Sequence, residues 1–205
     1  MANDIGSLPS TIKPANVTIS SLHQNFISVS QNLTTFKTDR GGHRWKFQLD
    51  YPPMTREQYA EFWAFCVSAR GRFNFFDYTL ENHANLGQAQ TSDQVTANET
   101  VLAGSRSIQC QNFTASTSNV VKAGDFVKFG TSTKVHMITS SADSDSSGVA
   151  TLNFEPAIQA QVAVDNPVSF DPLFQVSLVN DTFETAYGTN RLYGMTIELI
   201  EVLDV

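Results

Sequence analysis

Hydrophobic and polar residues alternate with a period of two along several stretches of this 205-residue chain. The sharpest runs from His43 to Asp50. Trp45, Phe47 and Leu49 take one face there and Arg44, Lys46, Gln48 and Asp50 the other, as a half-buried antiparallel strand requires. Phe26, Ser28 and Ser30 alternate with Ile27 and Val29, and Asp39-Arg40-Gly41-Gly42 reads as a turn. One segment has the helical period instead. Pro52-Pro53 stops the strand, Thr55 offers an N-cap with Gln58 three residues on, and Tyr59, Phe62, Trp63 and Cys66 recur at i, i+3, i+4 and i+7. With Gly71 as the C′ residue, the pattern predicts a helix over about Thr55 to Arg70 whose aromatic stripe lies on a sheet. Arg72 to Tyr78, with Phe73, Phe75, Phe76 and Tyr78, reads as a strand against that helix. The expected core anchors are Trp45, Phe47, Leu49, Tyr59, Phe62 and Trp63, with Phe62 and Trp63 fully buried.

Elsewhere the texture changes. The first fifteen residues, interrupted by Gly6, Pro9 and Pro14, read as an extended arm. From Glu81 to about Asn119 the chain is rich in Asn, Gln, Ser and Thr, with one short alternating strand around Ile108 and Cys110. Short strands then follow at Phe126 to Gly130, Val135 to Ile138 and Val149 to Phe154, joined by Gly- and Asp-bearing turns, the spacing of a small barrel. The last forty residues return to longer strands, Gln175 to Val179 and Leu192 to Val202. In the second of these Thr196, Glu198 and Glu201 alternate with Ile197, Leu199 and Val202, as in a strand tied into the first sheet. The expected fold is mainly β: a belt-type β-sandwich or barrel with one amphipathic α-helix, carrying an inserted small β-barrel. The belt takes residues 1–90 and 165–205, and the insertion residues 91–164.

Composition narrows what such a fold can do. Fifteen Phe and two Trp supply a core, while charged residues make up 16% of the chain against about 25% in a typical soluble domain. Thirteen Lys and Arg against twenty Asp and Glu leave a net charge of −7. That balance disfavours gripping a phosphate backbone. No apolar run approaches the roughly 20 residues that span a bilayer, and no secretory pattern opens the chain, so neither membrane association nor secretion is expected. Cys66 and Cys110 stand apart with no metal-ligand spacing and read as small buried thiols.

Catalytic signatures are missing: no GxSxG, HExxH, Walker A loop or strand-borne GxGxxG occurs. His23, His43, His83 and His136 are scattered. Asp143-Ser144-Asp145-Ser146-Ser147-Gly148 matches the opening of a calcium loop, but its twelfth position is Phe154, and a polar hairpin turn accounts for the residues. Neither a catalytic residue, nor a cofactor site, nor a metal site is expected, and the chain is read as no enzyme.

Two blocks carry a family resemblance. Arg44-Trp45-Lys46-Phe47-Gln48-Leu49-Asp50-Tyr51-Pro52-Pro53-Met54-Thr55, the aromatic helix, and Arg70-Gly71-Arg72-Phe73 through Phe76-Asp77 form one. Lys122-Ala123-Gly124-Asp125-Phe126-Val127, Val135-His136-Met137-Ile138 and Asp145 through Glu155-Pro156 form the other. Together, over roughly residues 40–80 and 120–157, they resemble tail proteins of tailed bacteriophages, nearest the distal tail protein. The resemblance implies a virion protein of the tail tip, assembled in the host cytoplasm. It implies a homo-oligomeric ring, by family analogy a hexamer, linking the tail tube protein to baseplate hub or tail-fibre proteins. A ring that passes the genome without binding it is expected to line its opening with carboxylates, and Asp39, Asp50, Asp77 and Glu81 are the candidates. Subunit contacts are expected at strand edges, at Phe26 to Ser30 and Leu192 to Val202, and through the arm Met1 to Ala15. The alternative is a carbohydrate- or receptor-binding β-module on the tail tip.

Overall fold

The computed structural model describes residues 2–80, 86–87, 94–182, 184, 186–187 and 192–203. The described strands begin with β1 (Asp4–Ser7), β2 (Asn16–Val29) and β3 (Thr35–Met54), then helix α1 (Arg56–Ala69) and β4 (Phe75–Tyr78). Next come β5 (Thr96–Ala97), β6 (Ser107–Gln111), β7 (Phe126–Phe129), β8 (Val135–Ser140), β9 (Ala150–Glu155) and β10 (Val168–Ser169). β11 (Phe174–Leu178), β12 (Ala186–Tyr187) and β13 (Tyr193–Glu201) complete the order. The fold is mainly β.

Two compact units divide the chain, Met1–Tyr78 with Gln175–Val202, and Thr79–Phe174 with Leu203–Val205. The second unit is longer at both ends than the expected insertion: the Leu86 and Gly87 N–H groups donate to Asp125, and Pro167, bridged to Thr96, and the strand at Val168 belong to its sheet.

The first unit is one sheet in the order β1-β4-β11-β13-β3-β2, with β12 beside β13. β13 lies antiparallel between β11 and β3, pairing Thr196 with Asp50 and Leu199 with Phe47. It is therefore an interior strand, and no open edge exists at Leu192 to Val202. Its inner face carries Met195, Ile197, Leu199 and also Glu201, all buried. The strict period of two, continued one residue further than the sequence suggested, turns Glu201 inward. Its Oε2 accepts the Trp45 backbone N–H at 3.1 Å there, one partner for a carboxylate removed from water.

Helix α1 covers this face. Gln58 Oε1 accepts the Thr55 N–H at 3.0 Å, closing the first turn, and Arg70 ends the helix at φ 53. Tyr59, Phe62, Cys66 and Ala69 are buried. Phe62 meets Tyr51 at a centroid distance of 4.8 Å. Trp63 is only half-buried, stacked on Tyr59 at 5.8 Å. Full burial fails for it because the helix buries a stripe centred on Phe62, and Trp63 sits about 100° further round. Phe73, expected in the following strand, precedes β4 and is 50% exposed.

Two sequence signals meant something other than a chain reversal. Asp39-Arg40-Gly41-Gly42 lies inside β3, where Asp39 Oδ1 accepts the Gly41 N–H at 2.8 Å, Gly41 takes φ 71, and the ladder with β2 shifts register between His23 and Asn25. Glycine at positive φ served a bulge. The reversal itself comes later than Val29, at Ser30–Thr34, where the Ser30 N–H reaches the Thr34 carbonyl at 2.9 Å. Pro52-Pro53 likewise does not end the strand. Both sit in the register shift between Tyr51 and Met54, where no ladder donor is required.

The opening residues, read as an arm that packs on something or stays loose, pack on the sheet and helix of their own chain. β1 pairs in parallel with β4, the Leu8 N–H donates to the Asp77 carbonyl at 3.1 Å, and the Thr11 hydroxyl donates to Glu61 at 2.7 Å.

The second unit is a nearly closed six-stranded barrel, ordered β10-β7-β8-β9-β6-β5. Its ends meet where the Ala97 N–H donates to the Asn166 carbonyl at 2.9 Å and the Val168 N–H to the Val95 carbonyl at 3.0 Å. Closure removes both sheet edges. Ile108, Leu152, Phe129, Phe154 and Val168 fill the interior. The Asp143–Gly148 segment is a turn whose carboxylates serve the backbone: Asp145 Oδ1 accepts the N–H groups of Ser147 and Val149, and Asp143 accepts that of Asn119.

Candidate functional site

The β2–β3 hairpin extends past the buried sheet. Beyond His43 every residue of β3 toward the turn is exposed or half-exposed, and β2 is exposed from Ser20 to Val29. The register fixes which side chains share a face. Phe26 pairs with Thr38 and Ser28 with Phe36, so Phe26, Phe36 and Arg40 lie on one side, the Arg40 guanidinium 5.9 Å from the Phe26 ring centroid. Ile27 pairs with Lys37 and Val29 with Thr35, which puts Ile27 and Val29 on the other side. Leu33 stands 81% exposed in the turn and Phe36 is 59% exposed. An ordinary solvent-facing hairpin keeps one face polar. Here both faces carry exposed apolar side chains, Phe26 and Phe36 on one and Ile27 and Val29 on the other.

At the neck of this arm, Ser21 Oγ lies 2.9 Å from Nε2 of both His23 and His43. The His43 ring is buried, edge-on to Trp45 at 4.7 Å. These contacts anchor the arm where the core ends.

Of the four carboxylates expected around an opening, the three among the described residues, Asp39, Asp50 and Asp77, lie apart within the chain. Asp39 lies on the arm and Asp50 on the same strand within the core region, about 36 Å away at 3.3 Å per residue. Asp50 faces out beside Thr196, whose hydroxyl donates to it at 2.8 Å; that bond and one from Gln48 hold its carboxyl below the usual range. Asp77 is on β4, with β11 and β13 between it and β3. Glu81 lies outside the described residues. Charge is divided unevenly along the chain: the first unit holds nine Lys and Arg and ten Asp and Glu, the second four and ten. Six of the seven net negative charges thus belong to the barrel unit.

Two clefts accompany these surfaces. One of about 580 Å³ in the first unit is lined by Asp181, Glu184, Thr196 and Glu198 over Leu178 and Ile197. Two of its three carboxylates are engaged: Arg72 grips Asp181 through Nε at 3.1 Å and Nη2 at 2.6 Å, which depresses that carboxyl to about 2, and Lys46 meets Glu198 at 3.0 Å. The other, about 300 Å³ in the barrel unit, is lined by Thr131, Ser132, Thr133, Gln159, Gln161 and Asn166. Among the described residues no group of three or more His, Cys, Asp or Glu is placed to hold a metal ion. Burial pushes the Cys66 and Cys110 thiols up to about 12, so neither is a nucleophile near neutral pH.

Set against protein-family models and curated proteins, the chain matches none. Sequence reasoning found part of the arm, through the alternation at Phe26 to Ser30, and missed its extent. A signal was present: Leu22, Phe26, Ile27, Val29, Leu33 and Phe36 cannot all fall on one face of a hairpin.

Proposed function

We propose that this chain is a structural subunit of a phage tail that forms a ring, hexameric by family analogy, at the distal end of the tail tube. The single observation that supports this reading is the arm with apolar residues on both faces. A single underlying body covers one face of a sheet; an arm that needs both faces covered is suited to insertion between bodies, as copies in a ring provide. The ring joins the tube protein to baseplate or fibre proteins and passes DNA without binding it, in keeping with the net charge of −7. The test is native mass measurement of the purified chain with electron imaging. A closed ring near six times 22.6 kDa is expected. Replacing residues 25–39 with an Asn-Gly turn should give a folded monomer, and a parent chain that stays monomeric at every concentration overturns the reading.

The alternative, a sugar- or receptor-binding module, draws support from the neutral hydroxyl- and amide-lined cleft of the barrel unit. Saturable binding of a host saccharide, lost in Gln159→Ala with Gln161→Ala, would favour it.

A further inference from the structure

We propose that His23 and His43, with the Ser21 hydroxyl between them, form a binding site for a first-row divalent metal ion of the class of Zn²⁺ or Cu²⁺. The site lies within one chain, goes beyond the ring reading and does not depend on it.

The pairing register brings the two rings together. His23 on β2 stands directly opposite His43 on β3, so their side chains share a face, and the ring centroids come to 4.6 Å. Ser21, two positions before His23, points to the same face. Both Nε2 atoms converge on one place, each lying 2.9 Å from Ser21 Oγ. A serine hydroxyl has one hydrogen. It satisfies the lone pair of one ring, so the other ring must turn an N–H toward the same oxygen. A divalent ion satisfies both lone pairs at once. Zinc holds imidazole nitrogens at about 2.0–2.1 Å, which sets two of them about 3.4 Å apart in a tetrahedral site. From the present convergence this needs ring shifts on the order of 1 Å. His23 is exposed and has the freedom to make them, and its open side admits water to the remaining positions.

The donors name the class of ion. Two imidazole nitrogens and a neutral oxygen suit Zn²⁺, Ni²⁺ and Cu²⁺, whereas Ca²⁺ and Mg²⁺ are held by carboxylates and carbonyls. Among the described residues no carboxylate joins the pair as a third ligand. The position of the site gives its use. His23 is the last paired residue before the ladder slips register toward Asn25, and beyond it both strands run out into the exposed arm. An ion held by both rings ties β2 to β3 across the place where backbone pairing is interrupted, and so fixes the base of the arm. His43, buried and edge-on to Trp45 at 4.7 Å, anchors one ligand in the core while the other faces water.

The experiment is calorimetric titration of the full, metal-free chain with Zn²⁺, Cu²⁺ and Ca²⁺ in turn. One Zn²⁺ per chain is expected, with Cu²⁺ held more tightly and Ca²⁺ not at all. His23→Gln, at an exposed position, should weaken Zn²⁺ by about tenfold or more. The metal-free melting temperature of that variant should stay within about 2 °C of the parent. His83→Gln should leave the affinity as it is. Electron spin resonance of the Cu²⁺-loaded chain should show splitting from two imidazole nitrogens, and from one in His23→Gln. A Zn²⁺ affinity that His23→Gln leaves unchanged, a loss in His83→Gln instead, or no binding up to about 1 mM Zn²⁺ overturns the site. None of these results bears on the ring, and a chain that never assembles leaves the site standing.

Discussion

In the barrel, Ile108 on β6 faces Leu152 on β9 in a dry interior while their neighbours Gln109 and Thr151 face water. On the arm, Phe26 and Ile27, adjacent on β2, point to opposite sides and both are more than half exposed. The two regions use the same backbone and the same strand-forming residues. What separates them is closure. The barrel joins its last strand to its first through a bridge and two backbone bonds and so buries one whole face within the chain; the hairpin leaves an edge and two faces in water. Stability of the barrel is thus internal, whereas the apolar residues of the arm contribute only once they are covered.

The largest effect that would break this contrast comes from the barrel core. Phe154 is 1% exposed and meets Phe129 at 5.0 Å and His136 at 5.1 Å. Phe154→Ala should cost about 3–5 kcal/mol, from lost transfer energy and the cavity left behind, read as a lower denaturant midpoint. A parent-like midpoint would mean that the barrel is not closed around this ring.

A comparable effect needs no mutation. Burial lowers the His136 pKa to about 4, with the Lys134 charge adding to the shift and the hydrogen bond to the Pro156 carbonyl at 2.7 Å opposing it. A His depressed in the folded state is neutral there while the unfolded chain still takes up a proton. Its stabilisation is complete above about pH 6.5 and lost as pH falls toward 4, to the extent of about 3 kcal/mol. Urea melts at pH 7 and pH 4.5 should differ accordingly, and His136→Phe should flatten the difference.

The smallest expected change sharpens the comparison from the other side. Phe36→Ser on the arm should leave monomer stability within about 0.5 kcal/mol, since the ring is already in water. The same variant should weaken self-association, measured by sedimentation. A large loss of monomer stability would place Phe36 in a core after all.

Legibility followed the range of the forces involved. The helix was readable because Thr55, Gln58 and the Tyr59-Phe62-Cys66 spacing act within four residues of one another. The strand at His43 to Asp50 was readable because a single buried face imposes its period. Gly41-Gly42 was misread because a bulge and a turn both call for glycine at positive φ, and only the pairing partner, β2, distinguishes them. Trp63 was misread because the angular width of the buried stripe depends on the sheet beneath the helix. Asp39 and Asp50 show a plainer limit: nothing local in the sequence says how far apart two positions on one strand of twenty residues are held.

By itself the sequence determined a mainly β chain with one capped helix, a change of texture for the second unit, a net negative charge, and an aromatic core, because local propensity, periodicity and composition are properties of short segments. Tertiary structure alone decided that β13 lies inside the sheet, that Glu201 turns inward to the Trp45 amide, that the barrel closes at Val95 and Val168, and that β2 keeps a free edge. Each of these depends on which strand lies beside which. Hydrogen bonds between strands join backbone groups that every residue shares, so the choice is made by the packing of the whole sheet rather than by the residues at the joint.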